Sequence, residues 1–242
     1  MEGVNHRFVE TNGIRMHLAE QGAGALVVLC HGFPECWYSW RHQLPVLAEA
    51  GYHAVAPDQR GYGQTERPEP IEAYHLLQLT ADMVGLVHAL DEGRAIIIGH
   101  DWGAPVAWHC ALLRPDIFHA VVLLSVSYLQ RSWHDIRPTD AMKRMAGELE
   151  FFQLYFQEAG KAEAELEADV RLTMRKFLYA ASGDPPPEKR WRFLLCKSEK
   201  LLDTGSLPAT LPSWLTEQAL DVFTSARTPR SPSISPLARR FR

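Results

Sequence analysis

The chain has 242 residues, 46% of them hydrophobic, which is enough for one good core or a core with a smaller added unit. Its net charge of −4 argues against nucleic acid or an anionic membrane as partner, and no run reaches the ~18 apolar residues that a membrane span needs. Cys30, Cys36, Cys110 and Cys196 form no CxxC pair and residues 1–10 carry no apolar signal core, so reduced thiols in a soluble, cytoplasmic protein are expected.

The first 130 residues alternate strand and helix signals. Residues 7–10 and 14–20 read as short strands around a turn at Asn12-Gly13, and residues 25–30 form the continuous apolar run of a strand buried on both faces. A helix is predicted over 40–50, with Gly51 placed to end it, and a strand over 53–56. Residues 76–90 carry Leu79, Met83, Leu86, Val87 and Leu90 on one helical face. A strand over 95–98, a helix over 104–113 and a strand over 120–126 follow. This alternation predicts an α/β fold of about six strands, mostly parallel, with helices on both faces.

After residue 130 the signals turn helical, with no convincing strand up to residue 223. Leu166, Val170, Met174, Phe177 and Leu178 form one apolar stripe over 163–178, followed by the loose stretch Asp184-Pro185-Pro186-Pro187. The expected organisation is a core over 1–130, a helical lid over 131–223, and a disordered basic tail over 224–242, rich in Arg, Ser and Pro and without an acid.

The chemistry concentrates in Gly99-His100-Asp101-Trp102-Gly103, between a predicted strand and a predicted helix. This is the G-x-nucleophile-x-G elbow, with Asp in the nucleophile position. Gly99 and Gly103 permit the sharp turn, and the Trp102 N–H is aimed to stabilise an oxyanion. A carboxylate here is ionised at neutral pH, needs no base, and suits attack on an alkyl carbon with an ester as product. The bland alternative, Asp101 as a helix N-cap, sits poorly with the preceding strand and paired glycines. A second signal, His31-Gly32-Phe33-Pro34 directly after the strand 25–30, can bring the Phe33 N–H to the same place as a second donor. Trp37 is a candidate for the substrate pocket, with a buried core position as its alternative. His109 and Cys110 read as packing residues, and His100, by strand alternation, points away from Asp101. Gly61-x-Gly63 lacks the third glycine of a dinucleotide fingerprint, and no spacing suggests a metal site, so no cofactor is expected.

The run His31 to Trp40 (HGFPECWYSW), the stretch Asp58-Gln59-Arg60-Gly61-Tyr62-Gly63-Gln64-Thr65 and the Asp101–Trp102 elbow together resemble the α/β-hydrolase-fold epoxide hydrolases. Residues 153–158 and 162–166 are similar to the start of that family's cap, and the resemblance runs from about residue 8 to 223. It implies an α/β-hydrolase fold and a small-molecule epoxide substrate, opened to a diol through an Asp101 ester, with cap tyrosines protonating the oxygen. It also implies that Phe152 stands where the first cap tyrosine belongs, with Tyr155 nearby as a substrate-binding residue. All eleven histidines lie at or before His134, so the acid and histidine that the family carries beyond its cap have no counterpart here. The expectation is a hydrolase truncated within the cap and impaired in turnover, whose strand 120–126 becomes an exposed apolar edge open to homo-oligomerisation. The competing readings are a haloalkane dehalogenase-like hydrolase and a catalytically silent ligand-binding fragment.

Overall fold

A computed structural model describes residues 3–130 and 136–226. The chain forms two compact units that divide between Gln130 and Arg131. The first is built on six strands: β1 (Asn5–Thr11), β2 (Ile14–Gln21), β3 (Ala25–Cys30), β4 (Tyr52–Pro57), β5 (Ala95–His100) and β6 (Phe118–Leu124), ordered β1-β2-β4-β3-β5-β6. The hairpin β1–β2 joins antiparallel, with Asn12 and Gly13 at positive φ in its turn, while β4, β3, β5 and β6 run parallel. Helices α1 (Gln43–Glu49), α2 (Leu76–Ala89) and α3 (Gly103–Leu113) form the crossovers.

Alternation along β3 and β5 divides the interior into two layers. Leu26, Val28 and Cys30 of β3, with Ala95 and Ile97 of β5, face a core shared with Leu79, Met83, Leu86 and Val87 of α2 and Val106, Ala107 and Cys110 of α3. Val27 and Leu29 face the other way, with Trp40, Leu44 of α1, and Ala54 and Ala56 of β4. A fully buried side chain of this kind stabilises by about 1.5–3 kcal/mol relative to its exposed state, so the two-sided burial of β3 fixes its register firmly. After β3 the chain turns to β4 on one side, then crosses back to lay β5 on the other. This reversal opens a crevice at the carboxyl ends of β3 and β5.

Most element boundaries differ from the predicted ones by one or two residues, and the start of α1 differs by three. The helix predicted over 40–50 begins at Gln43, preceded by a separate 3-10 turn, Trp37–Trp40, because Pro45 fits only a first helical turn. Strand β6 starts at Phe118 rather than 120 and ends at Leu124, where Ser125 takes positive φ.

The second unit contains α4 (Pro138–Ala146), α5 (Phe152–Tyr155), α6 (Lys161–Leu166), α7 (Val170–Ala180) and α8 (Glu217–Ser225). It is not strand-free as expected: Glu150–Phe151 and Leu194–Leu195 pair as two short antiparallel strands, β7 and β8. The single stripe expected over 163–178 is split between α6, which ends at Leu166, and α7, which Asp169 starts afresh as N-cap by accepting the Leu172 N–H at 2.9 Å. Helix α8 runs to Ser225, two residues into the expected tail; the tail from residue 227 lies outside the described residues. Among the described residues no helix is long and apolar enough to cross a membrane.

One buried ion pair ties the first unit together. The Arg60 guanidinium donates to both oxygens of Asp82 at 2.5 and 2.8 Å, and Asn12 in the β1–β2 turn donates to the same carboxylate at 2.8 Å. Both charged side chains are buried. Asp82→Ala strands the guanidinium without its counter-charge, and urea unfolding should show a loss of about 3–5 kcal/mol.

Candidate active site

Asp101 follows β5 directly, with φ of +49°, a left-handed conformation that a non-glycine residue adopts at a cost of about 1–3 kcal/mol. The surrounding glycines are required by close approach. A Cβ on Gly99 would lie 2.2 Å from the Gly103 carbonyl oxygen, and one on Gly103 would lie 2.2 Å from that of Cys30. Helix α3 starts at once, with Trp102 in its N-cap position and without a side-chain cap. The Asp101 carboxylate is turned instead toward β3's exit, where its Oδ1 accepts the Phe33 N–H at 2.8 Å, and it also accepts the Trp102 N–H. Two backbone donors from different strands' ends thus converge on one carboxylate.

The Phe33 segment is a tight turn. Its Phe33–Pro34 bond is cis, the Glu35 N–H bonds back to the Gly32 carbonyl at 3.1 Å, and the Gly32 N–H donates to the Glu35 carboxylate at 3.2 Å. Gly32 has no room for a side chain, since a Cβ there would sit 2.5 Å from Asp101 Oδ1. His31 is buried and holds the turn's start: Nδ1 donates to the Gly32 carbonyl at 2.9 Å and Nε2 accepts the Gln59 N–H at 3.1 Å.

Sequence reasoning placed His100 on the far side of the strand. It is the last residue of β5, in step with the partly buried Ile96 and Ile98, and its Nδ1 donates to Glu35 Oε2 at 3.2 Å. Glu35 drew notice only as part of a motif; a lone acid inside an otherwise apolar turn was the available signal. The three groups are electrostatically distinct. Burial raises the Asp101 carboxyl above its ordinary range, Phe33 and Trp102 N–H groups offset only part of this, and the Glu35 charge adds to it. Burial also works to raise Glu35, but the hydrogen bond and charge of His100, with His31 and the Gly32 N–H, bring it below its ordinary value. The bond to Glu35 raises His100 against the effect of burial.

A profile described as the alpha/beta hydrolase fold matches residues 25–185. Epoxide hydrolase A of Mycobacterium tuberculosis is 45% identical over 225 residues, which cover 92% of this chain and 69% of that protein. Epoxide hydrolase 2 of Siraitia grosvenorii is 41% identical, over 92% of this chain and 68% of its own length. Among solved structures, an epoxide hydrolase from an endophytic Streptomyces superposes with a TM-score of 0.93 at 47% identity, over all of this chain and 72% of that one. Epoxide Hydrolase A from Mycobacterium thermoresistibile gives 0.90 at 44% identity, over 98% and 74% of the two chains. The chain belongs to the epoxide hydrolases of the α/β-hydrolase fold.

Other candidate residues of this hydrolase lie as follows. Trp37, weighed between pocket and core, packs against the α1-side core, its ring edge-on to His6 with centroids 4.6 Å apart. In the second unit, Phe152 packs on Phe151 and Phe193, with ring centroids 5.0 and 5.6 Å away. The Tyr155 hydroxyl donates to Glu165 Oε2 at 2.5 Å, and Glu165 also accepts the N–H groups of Leu201 and Leu202. Burial and the Glu165 charge push the phenol's pKa up, so its proton is held inside that clasp. No cluster of His, Cys, Asp and Glu suited to a metal occurs among the described residues.

The raised Asp101 carboxyl has a stability consequence. A folded-state carboxyl above its unfolded value costs stability as pH rises through the unfolded and then the folded pKa, and the cost is complete above both. Asp101→Asn removes the charge and keeps a side chain that tolerates positive φ. Thermal melts should therefore show the variant more stable than the unsubstituted chain at neutral pH, with the difference disappearing at acid pH where Asp101 is protonated.

Proposed function

We propose that this hydrolase opens epoxides through Asp101. The observation that carries the reading is the convergence of the Phe33 and Trp102 N–H groups on the carboxylate of a positive-φ elbow residue. Those donors fix the aim of the carboxylate. One of its oxygens bonds to an epoxide carbon, the ring C–O bond breaks, and the released oxygen takes a proton from solvent water to leave a hydroxyalkyl ester on Asp101. When water adds to that ester, the same two N–H groups meet the oxyanion that forms, the arrangement in which fixed donors act most strongly. The four cysteines are free, which fits a reducing, cytoplasmic setting.

Ester hydrolysis calls for an activated water. In these 242 residues no histidine follows His134, and His100 is engaged by Glu35. The 242-residue chain alone is therefore expected to stop at the ester. Incubation with styrene oxide and intact-mass measurement should show one added substrate mass, absent in Asp101→Ala. Sustained diol release abolished in that variant would show a base elsewhere in the chain. Halide release from haloalkanes with no epoxide adduct would favour the dehalogenase reading, and neither product would favour a silent binding fragment.

We infer in addition that copies associate through β6. It is the sheet's last strand, no described strand pairs with its outer side, and Val121, Val122 and Leu124 are exposed. Its sequence, Phe118 to Leu124, has no Lys, Arg, Asp or Glu, and antiparallel pairing about Val121 would set Phe118 against Leu124 of a second copy. Sedimentation should show concentration-dependent association that Val122→Lys suppresses; a monomer at all concentrations would refute this.

A further inference from the structure

Asp58 is a fully buried carboxylate beyond the Asp101 cluster. It lies just after β4, at the start of the loop that runs to Thr65. Three donors meet it: His17 Nδ1 on β2 at 2.8 Å, the Trp37 N–H at 2.9 Å and the Gln64 N–H at 3.0 Å. Because a carboxylate only accepts, His17 carries its proton on Nδ1, and its Nε2 faces His6 Nδ1 at 3.1 Å. Gly63 is glycine for the same reason, since a Cβ there would come within 2.0 Å of Asp58 Oδ2.

What Asp58 grips is the far end of the turn that carries Phe33. The near end is gripped by its neighbour Gln59, whose N–H reaches His31 Nε2 and whose side-chain amide donates to the His31 carbonyl at 2.5 Å. Residues 32–36 therefore hang between two anchors, His31 and Trp37, both held by consecutive residues of one loop. We propose that Asp58, oriented by His17, is a positioning residue that holds the 32–36 turn so that the Phe33 N–H meets Asp101 and aims its carboxylate. Burial works to raise Asp58, but the hydrogen bond and charge of His17, the charge of His31 and the Trp37 N–H keep it below its ordinary value, so it remains an acceptor for all three donors near neutrality.

The inference rests on Asp101 being the reacting group. If Asp58 lets go of Trp37, the Phe33 N–H loosens, and Asp101 loses one of the two donors that oppose the effect of its burial. Its ionisation should then move to higher pH. The charged groups acting on Asp101 are Glu35, which lies in the 32–36 turn itself, and His100, which is bonded to Glu35, so the titration reports the turn as a whole.

The test uses the 242-residue chain with Asp58→Asn, His17→Ala and His17→Asn, the last placing an amide nitrogen near the position of His17 Nδ1. Two readouts are taken: the Asp101 carboxyl titration by carbon NMR, assigned with Asp101→Asn, and the pH-dependent rate of adduct formation with styrene oxide. Asp58→Asn and His17→Ala should raise the pH at which Asp101 ionises and lower the saturating rate by about 10²-fold, with little change in half-saturation, while His17→Asn recovers most of both. A folded Asp58→Asn or His17→Ala chain with an unchanged Asp101 titration and a rate within about twofold overturns the proposal. If Asp58→Asn does not fold, the two His17 variants decide. If the unsubstituted chain forms no adduct, the reading of Asp101 as nucleophile fails, and the Asp101 titration alone still decides whether Asp58 positions Phe33.

Discussion

The first unit is organised around a contact between two strand ends that are far apart in sequence and adjacent in space. The Phe33 N–H reaches the Asp101 carboxylate because β3 and β5 lie side by side and parallel, so both chains leave the sheet at the same edge. That adjacency exists only because β4 was laid on the opposite side of β3, opening the crevice where strand order reverses. Close approach then dictates the residues around it. Gly32, Gly99 and Gly103 each occupy a place where a methyl group would collide with Asp101 or with backbone. The positive φ of Asp101 is held by this crowding, and a buried, two-sided β3 supplies the rigidity that local strain needs in order to persist.

Three carboxylates crowd the carboxyl edge of this sheet, and their partners separate them. Glu35 has His100 and Asp58 has His17, and both acids are held below their ordinary pKa. Asp101 receives only backbone N–H groups and is raised by its burial. Acids with a histidine partner are stabilised as anions in place and suit structural work; the acid without one is the anion with most to gain from forming a bond. The electrostatic contrast thus supports the same residue as the elbow geometry, by an argument independent of the sequence motif.

Much of this was legible in the sequence because it depends on local rules. The unbroken apolar run 25–30 has the pattern of a strand covered on both faces, and Gly99-x-Asp101-x-Gly103 between a strand and a helix has that of a sharp turn. What stayed hidden depends on long-range placement. His17, Trp37 and Asp58 are separated by up to 41 residues, and nothing in their spacing tells that one hydrogen-bond set joins them. The bond from His100 to Glu35 stayed hidden too, because alternation gives the face of a strand residue and not its partner in a distant turn. The stripe from Leu166 to Leu178 hid a break because apolar periodicity is blind to a capping aspartate such as Asp169.

The two outer strands of the sheet show opposite solutions to one problem. An edge strand offers unpaired backbone groups to any other chain, and charge is the usual deterrent. Strand β1 has it: Arg7 pairs with Glu20 of β2 at 2.7 Å, Glu10 stands exposed, and only Val9 and Thr11 of the strand are buried. Strand β6 has none, and its apolar residues are divided between Phe118, sunk in the α2–α3 core, and the exposed Val121, Val122 and Leu124. An apolar residue gains stability only from what covers it, so β6 contributes to this unit through Phe118 and Leu123 and leaves the rest unrealised. The asymmetry is one of composition: β1 carries charged side chains along its length, and β6 carries exposed apolar ones.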